Sequence, residues 1–325
     1  MAAAPFVAHA DFARTTPAPR FLRHARMSEK FALGLLTAVC AATAGFAQNA
    51  PIEQVRERTI PFTRDGGAER KMIAEERGEV VELTGQPARA LRYRLGASTS
   101  LEHQSNAPLL GSGPKDDWVS LTGIEAGFNL PISGTVSFDL SIRSDLVSYF
   151  NFDKISYWGP SGIAQFEYRP NAVWPRFYAG TQLYRYDFVH NGVELTSAAS
   201  VLAGVDRSWD FQQGKMRLSA GYQFQRFWAF PKSEDRSTNT LFASATRQLT
   251  HSLFAQGAYI WQYTDFESQA RRDSRHIVSL GIIYALNPKS ALRLYANYVR
   301  NESTNPLADY ENFTTGIGAA FSAQF

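Results

Sequence analysis

The stretch from Tyr310 to Phe325 constrains the fold of this chain more than any other part of the sequence. Aromatic, aliphatic and threonine side chains occupy one parity of the stretch, and polar or small residues occupy the other. Successive side chains of a β-strand point to opposite faces of the sheet, so this period of two predicts a strand with one apolar face. The apolar parity continues to Phe325, whereas terminal strands of soluble proteins usually end in polar residues.

The same period of two begins at Leu91 and recurs through the rest of the chain. Beyond residue 50 the chain has no apolar run of the roughly eighteen residues that a membrane helix needs, which excludes helical spans there. A transmembrane β-barrel alternates polar and apolar residues, so the mean hydropathy of −0.26 and the 13% of aromatic residues are compatible with one. The predicted strands are 91–104, 117–130, 134–149, 155–169, 174–188, 193–208, 215–229, 238–249, 252–265, 274–287, 290–302 and 309–325.

The segments between these strands alternate between short turns and longer polar loops. For example, 131–133 and 209–214 are predicted as turns, whereas 105–116, 230–237 and 266–273 are predicted as loops. This layout is typical of an up-and-down barrel whose two chain ends lie on the short-turn side. Aromatic residues cluster at two levels, near Tyr149 and near Trp174, as two membrane interfaces require. A soluble sandwich of similar strand spacing does not need these clusters.

The amino-terminal region reads as a targeting segment followed by a lead-in. Lys30 precedes an apolar run to Phe46 and small residues follow, which predicts a signal peptide over 1–47, with 1–26 an over-extended start. Residues 48–90 are rich in charge and predict a short periplasmic lead-in, a lumen plug or a tail. The barrel domain is expected over 91–325.

Charge and cysteine content exclude several classes of function. The only cysteine, Cys40, lies in the predicted signal peptide, so no disulfide or thiol chemistry is expected in the mature chain. Loss of residues 1–47 leaves 28 basic and 28 acidic residues, and this balance gives no case for nucleic-acid binding. No cofactor and no metal site is predicted.

The polar parity of the strands carries charges of both signs, and a barrel turns this parity toward its lumen. Such charges either line a water-filled path or pair with one another and fill a narrow lumen, and both alternatives stay open. The predicted lumen-facing residues are Arg92, Arg94, Glu102, Glu125, Asp139, Arg143, Asp145, Glu167, Arg217, Arg275 and Arg293.

One short motif suggests catalysis. His103 and Ser105 lie two residues apart on a predicted strand and therefore share its outer face. With Asn106 they resemble the His-x-Ser-Asn motif of outer-membrane phospholipase A, where histidine activates serine on the lipid-facing wall. The glycine that follows in that family is Ala107 here. The alternative is that Ser105 and Asn106 open a loop, and the chain is then no enzyme.

Motifs at both ends of the predicted barrel carry a second resemblance. The final strand resembles the signal that the barrel-assembly machinery reads in outer-membrane proteins, and its assembly residues are Tyr310, Phe321 and Phe325. The chain also resembles porins found beside exopolysaccharide genes and the barrel domain of surface lipoprotein assembly modifiers, although the helical-repeat domain of the latter is missing. The other motif residues are Ser105-Asn106-Ala107, Arg271-Arg272-Asp273-Ser274-Arg275 and Arg300-Asn301-Glu302-Ser303.

These observations together predict an all-β, transmembrane antiparallel up-and-down β-barrel of about twelve strands in the outer membrane of a Gram-negative bacterium. The expected function is a passive pore, or an export role for a small solute, a polysaccharide or a surface protein. The alternatives are a lipid-facing hydrolase using His103 and Ser105, and a structural or adhesive barrel with binding loops. Expected partners are outer-membrane lipids and the barrel-assembly machinery, whereas the sequence defines neither the cargo nor the oligomeric state.

Overall fold

The computed structural model of the protein describes residues 92–107, 109, 114–171, 174–212, 215–287 and 289–324. The predicted signal peptide and lead-in lie outside the described residues. Twelve strands form, in chain order β1 (Arg92–Gln104), β2 (Asp117–Pro131), β3 (Val136–Tyr149), β4 (Tyr157–Tyr168), β5 (Arg176–Phe188), β6 (Glu194–Phe211), β7 (Met216–Phe230), β8 (Arg236–Gln248), β9 (Leu253–Phe266), β10 (Arg271–Asn287), β11 (Ser290–Ser303) and β12 (Tyr310–Gln324).

The strands form one closed antiparallel barrel in which each strand pairs with its neighbours in the sequence. The last strand closes on the first, with Arg94 opposite Gln324 at one end of the seam and Gln104 opposite Thr314 at the other. Closure leaves no strand edge open, as a lipid environment requires, because unpaired backbone groups cannot bond to water there. The predicted fold is confirmed, including the pairing of the final strand.

Alternation along each strand separates an apolar outer face from a polar inner face. On β3, Ile142 is 58% exposed on the outside, whereas Asp139 is only 3% exposed on the inside. The outer face of β10 is apolar from Val278 to Ile282 and becomes polar toward Arg272. At a strand tilt of about 40°, ten residues span roughly 25 Å, the height of the apolar band of an outer-membrane barrel.

Only half of the predicted aromatic clusters face the membrane. Phe150, Trp158 and Trp228 are exposed on the outside, but Tyr157 and Phe227 are buried inside the barrel. The aromatic residues of this level are divided between the two faces because adjacent residues of a strand point to opposite faces. At the other level, exposed outer aromatics are Trp174, Phe177, Trp209 and Phe211.

The barrel has two ends, and its connectors differ less in length than the sequence predicted. At the end where β1 starts and β12 finishes, here called the turn end, the connectors are 132–135, 169–175, 212–215, 249–252 and 288–289. At the opposite loop end they are 105–116, 150–156, 189–193, 231–235, 267–270 and 304–309.

The predicted turn 209–214 and loop 266–273 are both shorter in the structure. Strand β6 continues to Phe211, and β9 and β10 continue to Phe266 and from Arg271. Pairing of Asp210 with Arg217 and of Phe266 with Arg271 extends these ladders into segments that turn-forming residues had marked as loops.

Among the described residues, three loop-end connectors contain a single turn of 3₁₀ helix, namely Asp153–Ile155, Lys232–Glu234 and Pro306–Ala308. Within the described part of the chain, no helix has the length and apolar character to cross a membrane.

Candidate functional site in the barrel lumen

A cavity of about 380 Å³ lies inside the barrel against strands β1–β5 and β10–β12. Its wall reaches Lys289 and Ser290 at the turn end. It reaches Leu109 and Tyr310 at the loop end. The cavity therefore follows one side of the lumen over most of its length.

Neutral polar side chains fill the rest of the lumen, beginning at Gln182, which also lines the cavity. The Gln225 Nε2 atom donates to Gln182 Oε1 and to Ser200 Oγ, each at 2.8 Å, and Gln223 Nε2 donates to Gln225 Oε1 at 3.1 Å. Tyr178 extends this network by donating its hydroxyl hydrogen to Gln223. The three glutamines and Ser200 are each at most 5% exposed, so this side of the lumen is packed.

Arginine and carboxylate residues pair across the cavity wall near the turn end. Arg94 Nε donates to Glu125 Oε1 at 2.9 Å, and its Nη1 lies 3.8 Å from Asp139 Oδ2. Farther along β3, Arg143 Nε donates to both carboxylate oxygens of Asp145, at 2.7 and 3.0 Å. The wall therefore carries charged groups, but their positive and negative charges nearly cancel.

A buried arginine on β5 connects three strands outside the cavity. Arg176 donates from Nε and Nη2 to Asp206, at 3.1 and 2.5 Å, and from Nη1 to Glu167 at 3.0 Å. Sequence analysis predicted Glu167 but missed Arg176 and Asp206. Both residues lay inside predicted strands, 174–188 and 193–208, and their inward parity was the signal that could have found them.

Most of the predicted lumen residues lie on the cavity wall. Glu167 and Arg217 lie instead in ion pairs away from it, the latter with Asp210 at 2.8 Å. Arg92 begins β1, and its side chain lies outside the described residues. The predicted residues that line the cavity are Arg94, Glu102, Glu125, Asp139, Arg143, Asp145, Arg275 and Arg293.

Leu109 lines the cavity at the loop end. Its backbone φ is 53°, in the left-handed region that leucine rarely adopts, and a turn hydrogen bond from Leu109 N to Asn106 O holds it there. The side chain is 7% exposed. It belongs to an apolar cluster with inward-facing Phe242, Ile260, Ile277, Val299 and Tyr310.

The Ser105-Asn106 motif fixes the loop that carries Leu109. Asn106 donates from its backbone N to Asn312 Oδ1 and from Nδ2 to the Glu311 carbonyl, each at 3.0 Å. Ser105 Oγ accepts from Phe313 N at 2.8 Å and donates to Asn312 Oδ1 at 3.4 Å. The motif thus joins the end of β1 to the start of β12.

The structure does not bring the predicted catalytic pair together. His103 Nε2 lies 3.3 Å from Asp116 Oδ2, and its ring packs edge-on against Trp118. The Ser105 hydroxyl bonds to Asn312 and Phe313 instead, and no hydrogen bond joins His103 to Ser105 within the described residues.

The carboxy-terminal motifs organise connectors at the loop end. Arg271 Nε donates to Asp273 Oδ1 at 2.8 Å, a pair two residues apart on the inner face of β10. Asn301 Nδ2 donates to the Ala308 carbonyl at 2.8 Å and Ser303 N donates to Asp309 Oδ1 at 2.5 Å. These bonds hold the connector between β11 and β12 in shape.

The predicted assembly residues occupy different faces of β12. Tyr310 is buried inside the barrel, whereas Phe321 is exposed on the outer face. Phe325 lies outside the described residues, so its proposed role in assembly stays a prediction.

An apolar belt that faces outward, a polar lumen and complete strand closure define a class of protein. The chain is a transmembrane β-barrel of the outer membrane of Gram-negative bacteria. Residues 212–323, about a third of the chain, match the family model described as "Putative beta-barrel porin 2". This match covers the carboxy-terminal half of the barrel.

The chain is similar to solved outer-membrane barrels at low sequence identity. An outer-membrane channel of Pseudomonas putida F1 is 10% identical, with a TM-score of 0.47 and coverage of 74% of this chain and 97% of that chain. LpxR from Salmonella typhimurium is 10% identical (TM-score 0.41, coverage 69% and 99%), and an anion-selective porin from Comamonas acidovorans is 9% identical (TM-score 0.38, coverage 72% and 99%). A comparison with curated proteins found no match.

Proposed function

We propose that this barrel is a narrow passive channel for small polar solutes. The observation that carries the proposal is the cavity, which follows the lumen from Lys289 at the turn end to Tyr310 at the loop end. Arginine and carboxylate groups on its wall offer hydrogen bonds to hydrated solutes of either charge. The match of residues 212–323 to a porin family supports the same function.

The dimensions of the lumen favour a small solute over an exported polymer. Packed glutamine and aromatic side chains fill the side of the lumen formed by β6–β9 and much of β5, which leaves a cavity of about 380 Å³. A folded surface protein is far larger than this space. Leu109 and its apolar neighbours narrow the path further, and an apolar constriction resists wetting.

Single-channel recording tests the proposal. Refolded protein in a planar lipid bilayer should give discrete conductance steps, and Leu109→Ala should enlarge them because it shortens the side chain at the constriction. Leu280→Ala is the matched control, since Leu280 is 62% exposed on the outer face. Absence of steps from both the parent and Leu109→Ala, with the barrel folded, would contradict the channel.

A further inference from the structure

The outer face of β9 and β10 carries a polar cluster at the boundary of the membrane. Ser274 Oγ lies 3.5 Å from His276 Nε2, and His276 Nδ1 lies 2.8 Å from the Tyr259 hydroxyl. Trp261 Nε1 donates to Ser274 Oγ at 3.0 Å. A serine, a histidine and a group that orients the histidine are thus joined in one chain of hydrogen bonds.

The position of the cluster along β10 places it at the level of lipid ester groups. Outward positions on this strand change from exposed Leu280 and Val278 to His276 and Ser274, and then to Arg272, which is paired with Asp265. Tyr and Trp residues at such a boundary lie where the hydrocarbon of the bilayer meets its headgroups.

A site for anionic headgroups is less favoured at this place. Arg300 lies opposite His276 in the pairing of β10 with β11, but its guanidinium already contacts two carboxylates. Nη2 lies 2.8 Å from Glu302 and Nε lies 3.8 Å from Glu311. The charge of Arg300 is therefore largely compensated, and the serine–histidine pair is the more distinctive chemistry.

We propose that Ser274 and His276 form a lipid-facing acyl-ester hydrolase site, with Tyr259 as a positioning residue. With His276 protonated on Nδ1 and donating to the Tyr259 oxygen, Nε2 is free to accept the hydroxyl proton of Ser274. A base within hydrogen-bond reach is what a serine nucleophile requires.

The reaction runs in two balanced steps. Ser274 Oγ bonds to the ester carbonyl carbon while its proton moves to His276 Nε2, and the ester C–O bond then breaks as the leaving alcohol takes that proton. Water next attacks the acyl-serine, and its proton passes through His276 Nε2 to Ser274 Oγ. The fatty acid leaves, and the site is restored.

The substrate class is a fatty-acyl ester of a membrane lipid, either a glycerophospholipid or an acylated lipopolysaccharide. Refolded protein should release fatty acid from mixed micelles of detergent with phosphatidylethanolamine or with lipopolysaccharide. Comparison of the two preparations shows which lipid is the substrate. A fluorophosphonate reagent should label Ser274, as peptide mapping would show.

Matched variants separate catalysis from structure. Ser274→Ala and His276→Ala should lower release by at least about a hundredfold. Tyr259→Phe should lower kcat and shift the pH profile with KM unchanged, while Ser105→Ala retains parental release. Refolding of each variant is checked by the heat-dependent change in electrophoretic mobility.

The hydrolase proposal can be tested independently of the channel function, because Ser274→Ala should keep the parental conductance. Fatty-acid release that survives in Ser274→Ala would overturn the proposal. So would a folded parent that releases no fatty acid from either lipid and takes no label at Ser274.

Discussion

The hydroxyl of Tyr295 on β11 donates a hydrogen bond to the carboxylate of Glu102 on β1, across the intervening strand β12. The contact passes over Gly316, which is opposite Tyr295 in one pairing and opposite Glu102 in the next. A Cβ atom at position 316 would lie 2.7 Å from the Tyr295 hydroxyl oxygen and 2.8 Å from its ring carbon Cζ. Glycine there lets one hydrogen bond span the seam where the barrel closes.

Loss of this hydrogen bond should weaken the closed barrel. We expect Tyr295→Phe to lower the free energy of unfolding by about 1.5–3 kcal/mol, because Glu102 is buried and loses a donor to its charged group. Gly316→Ala should also destabilise, since the tyrosine ring must move. Urea unfolding followed by tryptophan fluorescence measures both changes.

Tyr284→Phe serves as the control for Tyr295→Phe. Tyr284 is 47% exposed on the outer face of β10, so loss of its hydroxyl should leave the unfolding midpoint close to that of the parent. Equal effects of the two substitutions would contradict a specific role for the bond at the seam.

The arginine network inside β4–β6 should contribute far more to stability than an exposed pair of the same chemistry. Arg176→Ala leaves the buried carboxylate of Asp206 and the half-buried Glu167 without their cation, and removal of one partner from such a network costs about 3–5 kcal/mol. Arg217→Ala breaks the more exposed pair with Asp210 and should cost about 0–1 kcal/mol. Comparable unfolding midpoints for the two variants would refute the distinction.

Stability should depend on pH through Glu234, which lies in the connector between β7 and β8. Burial raises the pKa of its carboxyl above the ordinary value, and the nearby charges of Arg236 and Arg271 oppose this shift only in part. A raised pKa in the folded state means that stability is greatest when the carboxyl is protonated. The parent should therefore lose stability as the pH rises from the ordinary glutamate pKa through the raised one.

Glu234→Gln removes this titration and isolates its effect. The stability of the parent relative to Glu234→Gln, followed by melting temperature over a pH series, should fall with rising pH. The stability of the parent relative to Glu267→Gln, which changes an exposed carboxylate paired with Arg226, should show no such trend. A constant difference between the parent and Glu234→Gln across the series would contradict the burial of a charged group.

Asn312 should control the loop that narrows the lumen. Asn312→Ala removes the acceptor for the backbone N of Asn106, and an unsatisfied buried donor costs about 1–3 kcal/mol. Protease cleavage within 105–116 should become faster than in the parent. Thr315→Ala, on the outer face of the same strand, should leave the cleavage rate unchanged; equal rates in all three proteins would show that Asn312 does not hold the loop.

Strand number, pairing and the two faces could be predicted from the sequence because they depend on a local period of two. Asp139 was assigned to the lumen for this reason, and the structure places it there. Strand ends were less accurate, as at Phe211, because cross-strand pairing decides them. Arg176 lay inside the predicted strand 174–188, but its partners Asp206 and Glu167 are on other strands and could not be read from local spacing.

The partners of individual side chains could not be predicted, since they depend on register between strands distant in sequence. His103 and Ser105 share a face, yet each bonds to other groups. Ser274 and His276 have the same spacing and are hydrogen-bonded, because Trp261 and Tyr259 on β9 hold them. Spacing alone did not distinguish these two pairs.

Chemical blockage of the lumen tests the central claim that the cavity is a path for solutes. In a Cys40→Ser background, Ser141→Cys places a thiol on the cavity wall, and Leu280→Cys places one on the outer face. A charged methanethiosulfonate reagent should reduce the single-channel current of Ser141→Cys and leave that of Leu280→Cys unchanged. If the current of Ser141→Cys persists after mass spectrometry shows that its thiol is modified, the cavity is not the conducting path.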